Sequence, residues 1–134
     1  MPDCSIIPVL GYTDVQAAIE WLCQTFWFKE RWRIGNHRAQ LEFDNGAIAI
    51  SALPEETEDH KPKPQTQSLM VRITDVDKHH EHVVKKGARV VLPPADFPYG
   101  ERQYTTVDIG GHIWTFSQTI ADVAPEDWGG VSAK

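Results

Sequence analysis

Apolar and polar positions along this chain follow two periods in turn, and the order of those periods is repeated. "SIIPVLGY" (5–12) is a short apolar strand pattern, after which apolar residues recur at Val15, Ala18, Ile19, Leu22, Cys23 and Phe26, one stripe of a helix. Thr13 is placed to cap that helix, with Gln16 three positions on in capping-box register. Three strand patterns follow, "FKERWRI", "AQLEF" and "AIAIS", separated by "GNHR" and "DNG", and Asn45-Gly46 signals a tight turn. "SLMVRI" then begins a second strand, and Thr74 or Asp75 is placed to cap a second helix. Its stripe of Val76, His80, Val83 and Val84 is weaker and ends at Gly87. "ARVVL", a loop "PPADFPYG", "RQYTTV", a turn "DIGG" and "HIWTFS" complete the series. Each Thr-Asp-Val triplet (13–15 and 74–76) joins a strand to a helix, so the chain reads as a β-α-β-β-β unit written twice.

These elements predict an α+β fold in one domain spanning 1–134. Repeat one covers about 5–52, a polar, proline-bearing linker 53–67, repeat two about 68–118, and a C-terminal tail 119–134. Each amphipathic helix can cover only one face of its strands. The two repeats are therefore expected to form a curved mixed sheet around a cleft.

Composition narrows the function. A chain of 134 residues can bury a core without metals or disulfides, and two cysteines cannot make a disulfide framework. Cys23 lies on the apolar helix face and is expected in the core rather than in a Cys-His nucleophilic pair. The start, "MPDCSIIPVLGY", has no basic n-region or long apolar h-region, so the expectation is a reduced, cytoplasmic, unprocessed protein with no membrane partner. A net charge of -6 without a basic stripe argues against nucleic acid.

At "YGERQYTTVDIGGHIWTFSQ", together with the paired units and the Thr-Asp-Val junctions, the chain resembles the vicinal oxygen chelate superfamily. That superfamily includes glyoxalase I, bleomycin-resistance proteins, fosfomycin-resistance enzymes and extradiol dioxygenases. The turn from Asp108 to His112 is similar to the family's Asp-Pro-Asp-Gly-Asn/His turn, with Ile109 and Gly110 in place of its Pro and Asp. The resemblance implies the glyoxalase/bleomycin-resistance fold. It also implies that the four metal-ligand positions of the family's enzymes fall on Ile7, Ala49, Ser68 and Thr115. Two of these offer no donor atom, and two neutral hydroxyls do not hold a catalytic ion against water, so no metal and no cofactor are expected.

With those positions as markers, strand alternation places an inward-facing set. It comprises Ile7, Val9, Ala47, Ala49 and Ser51 in the first repeat, and Ser68, Met70, Arg72, Ile113, Thr115 and Ser117 in the second. The resemblance adds Gln103, Thr105 and Val107, and places Arg102, Tyr104 and Thr106 outward. The candidate ligand-binding residues are Ile7, Ala49, Ser68, Met70, Arg72, Gln103, Thr105 and Thr115, an apolar surface with a few polar groups. Trp114 and Phe116 are expected in the core. Trp21, Trp27, Trp32 and Trp128 fit a cleft rim or a subunit contact equally well.

Histidines suggest no site. His79, His80 and His82 read as a solvated helix face, and "HEHVV" lacks the second histidine of a His-Glu-x-x-His motif. His37, His60 and His112 fall in loops and turns. The expected function is metal-independent binding of a small organic molecule by a homodimer, as in bleomycin-resistance proteins, and the acidic balance suits a cationic guest. The alternative is a glyoxalase-like lyase, isomerase or dioxygenase, against which stands the absence of a matched acid and base on the inward faces.

Overall fold

The structure, a computed structural model, describes residues 4–54 and 66–133. Most of the expected linker, and His60 with it, lies outside the described residues. Two compact units emerge. The first is Met1–Thr66 with Ile109–His112, and the second is Gln67–Asp108 with Ile113–Lys134.

The first unit contains β1 (Val9–Tyr12), α1 (Val15–Phe26), β2 (Lys29–Ile34), β3 (Arg38–Phe43) and β4 (Gly46–Ala52) in a mixed sheet of order β1-β4-β3-β2. β1 runs parallel to β4, with Val9 opposite Ala49 and Leu10 opposite Ile50. It is shorter than expected because Pro8 has no N–H for a ladder, although its carbonyl still accepts from the Ala49 amide at 2.9 Å. The helix N-cap is Asp14, whose carboxylate accepts from the Ala17 amide at 3.1 Å, and not Thr13. Val15, Ala18, Ile19, Leu22 and Phe26 are buried with Leu10, Tyr12, Ala39, Leu41, Ile48 and Ile50, the alternate residues of β1, β3 and β4. Cys23 is half-buried at the edge of that stripe.

The second unit contains β5 (Ser68–Arg72), α2 (Val76–Lys85), β6 (Arg89–Phe97), β7 (Glu101–Val107) and β8 (Ile113–Thr119), in the order β5-β8-β7-β6, followed by a 3-10 turn over Pro125–Trp128. The topology repeats that of the first unit, with β5 parallel to β8. Asp75 caps α2 by accepting from the Lys78 amide at 3.1 Å, and Gln118 Oε1 accepts from the Val76 amide at 2.9 Å. Beneath α2 the core is Val76, His79 and Val83 with Ile73, Tyr104, Thr106, Trp114 and Phe116.

Three sequence expectations are corrected here. The stripe of α2 passes through His79 rather than His80 and Val84: His79 is buried, whereas Val84 is exposed. A helix of 3.6 residues per turn allows either choice after Val76, and the polar partner available to His79 decides it. The solvated-helix reading therefore fails for His79. Residues of "PPADFPYG" expected in a loop instead extend β6 to Phe97, with register shifts between Val90 and Leu92 and between Leu92 and Ala95. Prolines are tolerated there because β6 is an edge strand whose outer amides need no partner. The strand then turns at Gly100 (φ 84), where a Cβ would fall 2.2 Å from the Ala121 carbonyl oxygen. The Ile120 and Ala121 amides donate to the Gly100 carbonyl at 2.9 and 3.2 Å, which fixes the first residues after β8.

Candidate functional site

β7 and β8 position the site. On the face under α2 they bury Tyr104, Thr106, Trp114 and Phe116, so alternation sends Glu101, Gln103, Thr105 and Val107, with Ile113, Thr115 and Ser117, to the opposite face. Cross-strand register pairs Gln103 with Ser117 and Thr105 with Thr115, and β5 sets Met70 beside Thr115 and Arg72 beside Ser117. The parity expected for Met70, Arg72, Gln103, Thr105 and Thr115 is the parity of this ladder. Ser68 pairs with Ile113 one row further along.

The polar groups on this face are bonded to one another. Tyr99 OH donates to Gln103 Oε1 at 3.1 Å, Gln103 Nε2 donates to Ser117 Oγ at 3.0 Å, and Ser117 Oγ donates to Glu101 Oε1 at 2.9 Å. Beside this chain the Thr105 and Thr115 hydroxyls are 2.9 Å apart. Each of these three hydrogen bonds in the four-residue chain runs toward Glu101. The chain therefore fixes the Gln103 amide and leaves the Tyr99 oxygen and the second Glu101 oxygen as acceptors. Ser117 is 1 % and Gln103 8 % exposed, so neither is free to rotate away.

Aromatic rings adjoin the Tyr99 end. Phe97 and Tyr99 stack with centroids 5.4 Å apart at 18°, and Trp128 meets Tyr99 edge-on at 5.5 Å. Trp128, left open between rim and subunit contact by the sequence, thus joins this cluster. Trp21 packs edge-on against Phe26 at 4.9 Å, Trp27 ends α1 in a left-handed conformation (φ 64), and Trp32 lies on β2.

Glu101 is the residue that sequence reasoning missed. Starting the strand at Arg102 left it in a loop, yet β7 begins at Glu101, and the alternation that gave Gln103 and Thr105 extends to it. A carboxylate thus sits where no acid or base was expected. Arg102, on the other face, donates to Asp77 and Asp96, each at 2.9 Å, and its guanidinium holds the Asp77 carboxyl below the usual range.

The positions that the resemblance assigns to metal ligands do not suit a divalent ion. In the first unit Ile7 is half-buried and Ala49 buried, and neither has a donor atom. In the second, Ser68 is exposed and the Thr115 hydroxyl is engaged by Thr105. Among the described residues no group of three His, Cys, Asp or Glu is gathered closely enough to hold a metal.

This topology and face define a family. Residues 8–116 match the sequence model of the Glyoxalase/Bleomycin resistance protein/Dioxygenase superfamily, and the chain belongs to it. Similar solved structures include TioX from Micromonospora sp. ML1, 30% identical with a TM-score of 0.70, covering 86% of this chain and 99% of TioX. The genomically encoded fosfomycin resistance protein FosX of Listeria monocytogenes is 15% identical with a TM-score of 0.69, covering 95% and 98%. Lactoylglutathione lyase from Agrobacterium tumefaciens is 13% identical with a TM-score of 0.66, covering 88% and 96%. The last two likenesses are likenesses of fold. No curated protein matches the sequence. Among the described residues, no helix is long and apolar enough to cross a membrane.

Proposed function

We propose that this chain binds a small organic molecule on the face of the second sheet turned away from α2, without a metal in the binding step. The observation that carries the reading is the directed chain from Tyr99 through Gln103 and Ser117 to Glu101, set beside the Phe97, Tyr99 and Trp128 rings. A floor of buried, mutually bonded polar groups is preorganised, and a guest need not order it. The guest it suits is planar and carries N–H or protonated nitrogen, because the ring faces and the two remaining acceptors favour positive charge. Calorimetric titration with planar organic cations of graded size tests this. Binding that survives dialysis against a chelator is expected, and loss of binding with the metal, or no heat across the series, would overturn the reading.

Glu101 favours a second reading, a lyase or isomerase that uses this carboxylate as its base and the hydrogen-bonded chain to hold its orientation. Turnover of a carbonyl substrate that disappears in Glu101→Gln while guest binding persists is the result that would replace the first reading with this one.

A further inference from the structure

The first unit carries polar groups that the proposed function does not use. Gln40 is on β3, on the face away from α1, opposite Ala49 on β4 and Trp32 on β2. Register shifts between Glu30 and Trp32, leaving Arg31 as an extra residue in β2. A bulge of this kind re-aims a side chain, and here it lets both Arg31 and Trp32 reach Gln40. Arg31 Nη1 donates to Gln40 Oε1 at 3.1 Å.

That bond settles the polarity of the spot. Gln40 is only 6 % exposed and its oxygen is taken by Arg31, so the group it has left to offer is the Nε2 amino group. Arg31 has further N–H groups in the same plane and no acceptor. Arg38, two residues before Gln40, projects to the same face and adds a second cation, while Glu42, two residues after it on that face, is set opposite Lys29 across the strands. Ala49, small and buried, adds no bulk beside Gln40, and Val9 on the next strand is largely exposed. Donors without acceptors, next to an indole and small apolar side chains, match a carboxylate attached to an aromatic ring.

We infer that Arg31 and Gln40, with Trp32, form a binding site for an aromatic carboxylate on the first unit, distinct from the residues of the proposed function. The carboxylate takes the Gln40 Nε2 and Arg31 N–H groups, and the ring lies against Trp32. The protein's negative net charge does not oppose this, since on Gln40's own face Arg31, Arg38 and Lys29 outnumber the one carboxylate, Glu42.

The experiment is a titration of the ¹⁵N-labelled full chain with 2-naphthoate and, in parallel, with (2-naphthyl)methylammonium, a ring of the same size bearing the opposite charge. Saturable shifts of the Gln40 side-chain amide and the Trp32 indole N–H with naphthoate alone are expected. Arg31→Gln, an exposed substitution, should weaken naphthoate by roughly tenfold or more, as losing a charge-assisted hydrogen bond does. Gln40→Met keeps the length of the side chain and removes its donors; it should weaken binding by roughly threefold to tenfold. Equal response to the two probes, no saturation at Gln40 and Trp32, or unchanged affinity in Arg31→Gln would overturn the assignment. Naphthoate shifts confined to Tyr99, Gln103 and Trp128 would also overturn it while leaving the proposed function standing. Shifts at Gln40 and Trp32 alone support it whatever the second unit does.

Discussion

His79 Nδ1 and the Tyr104 hydroxyl are hydrogen-bonded to each other inside the core of the second unit, with the Phe116 ring tilted at 34° against the imidazole, centroids 4.1 Å apart. Burial pushes the Tyr104 phenol well above its ordinary value, so it remains protonated through the alkaline range. One polar pair in an apolar layer explains why a histidine occupies a core position of α2.

Breaking that pair from one side should cost more than removing it. Tyr104→Phe deprives a buried imidazole of this partner and is expected to lower unfolding stability by about 1–3 kcal/mol. Adding His79→Leu should recover part of the loss. Urea denaturation of the two single variants and the double variant gives the coupling; strict additivity would contradict the pairing.

Gly110 should not accept a side chain. A Cβ there would lie 2.6 Å from Tyr12 Cδ1, and the Tyr12 ring is buried and edge-on to His112 at 4.9 Å. His112 Nε2 in turn donates to the Gly11 carbonyl at 2.8 Å, which holds the turn in place. Gly110→Ala is expected to lower stability by about 1 kcal/mol or more, read as a fall in Tm.

On the proposed binding face, Gln103→Leu should weaken a cationic guest by more than Thr115→Val does, because Gln103 links Tyr99 to Ser117 whereas Thr115 bonds only Thr105. Arg72→Ala has the opposite sign. Arg72 is opposite Ser117, so its loss relieves repulsion and cation binding should hold or tighten, while an anionic guest should weaken by roughly tenfold. Titration of the three variants with one cation and one anion checks the set.

The Asp77–Arg102 pair predicts a pH dependence. Arg102 lowers the folded-state value of Asp77 below 3.8, so the contribution is complete above that unfolded value and is lost as pH falls through the folded one. Asp77→Asn should therefore be less stable than the parent at pH 7, with the difference vanishing at lower pH. Denaturation curves at pH 7, 4 and 2.5 show whether the two converge.

Cys23 should alkylate slowly at neutral pH. Burial, and then the nearby Glu30 carboxylate, raise its thiol above 9.0, and only the thiolate reacts. The rate with iodoacetamide, followed at this site by peptide mapping, is expected to keep climbing beyond pH 9.

Much of this architecture was legible in the residues. The two Thr-Asp-Val junctions marked strand-to-helix turns because Asp14 and Asp75 both cap. With positions marked by the family resemblance, the period of two along "HIWTFS" put Trp114 and Phe116 opposite Thr115, and the resemblance itself put Tyr104 opposite Gln103 and Thr105 in "RQYTTV". Local pattern suffices there because a strand with one face under a helix cannot slip by one residue without exposing its apolar set.

What the sequence by itself determined is therefore the order of elements, from local periodicity and turn chemistry, and, once the family resemblance marked a position, which side chains share a face along β1, β4, β5, β7 and β8. Only the tertiary structure decided which of two adjacent histidines entered the core, because 3.6-residue periodicity admits either and the hydroxyl of Tyr104, 25 positions away, selects His79. It likewise decided that β6 continues through Pro93 and Pro94 and that β7 begins at Glu101, since pairing with a neighbouring strand, and not propensity, sets where a strand begins and ends. The bulge that brings Arg31 to Gln40 has no local signature either. It arises from the register of β2 on β3, and register is a relation between strands.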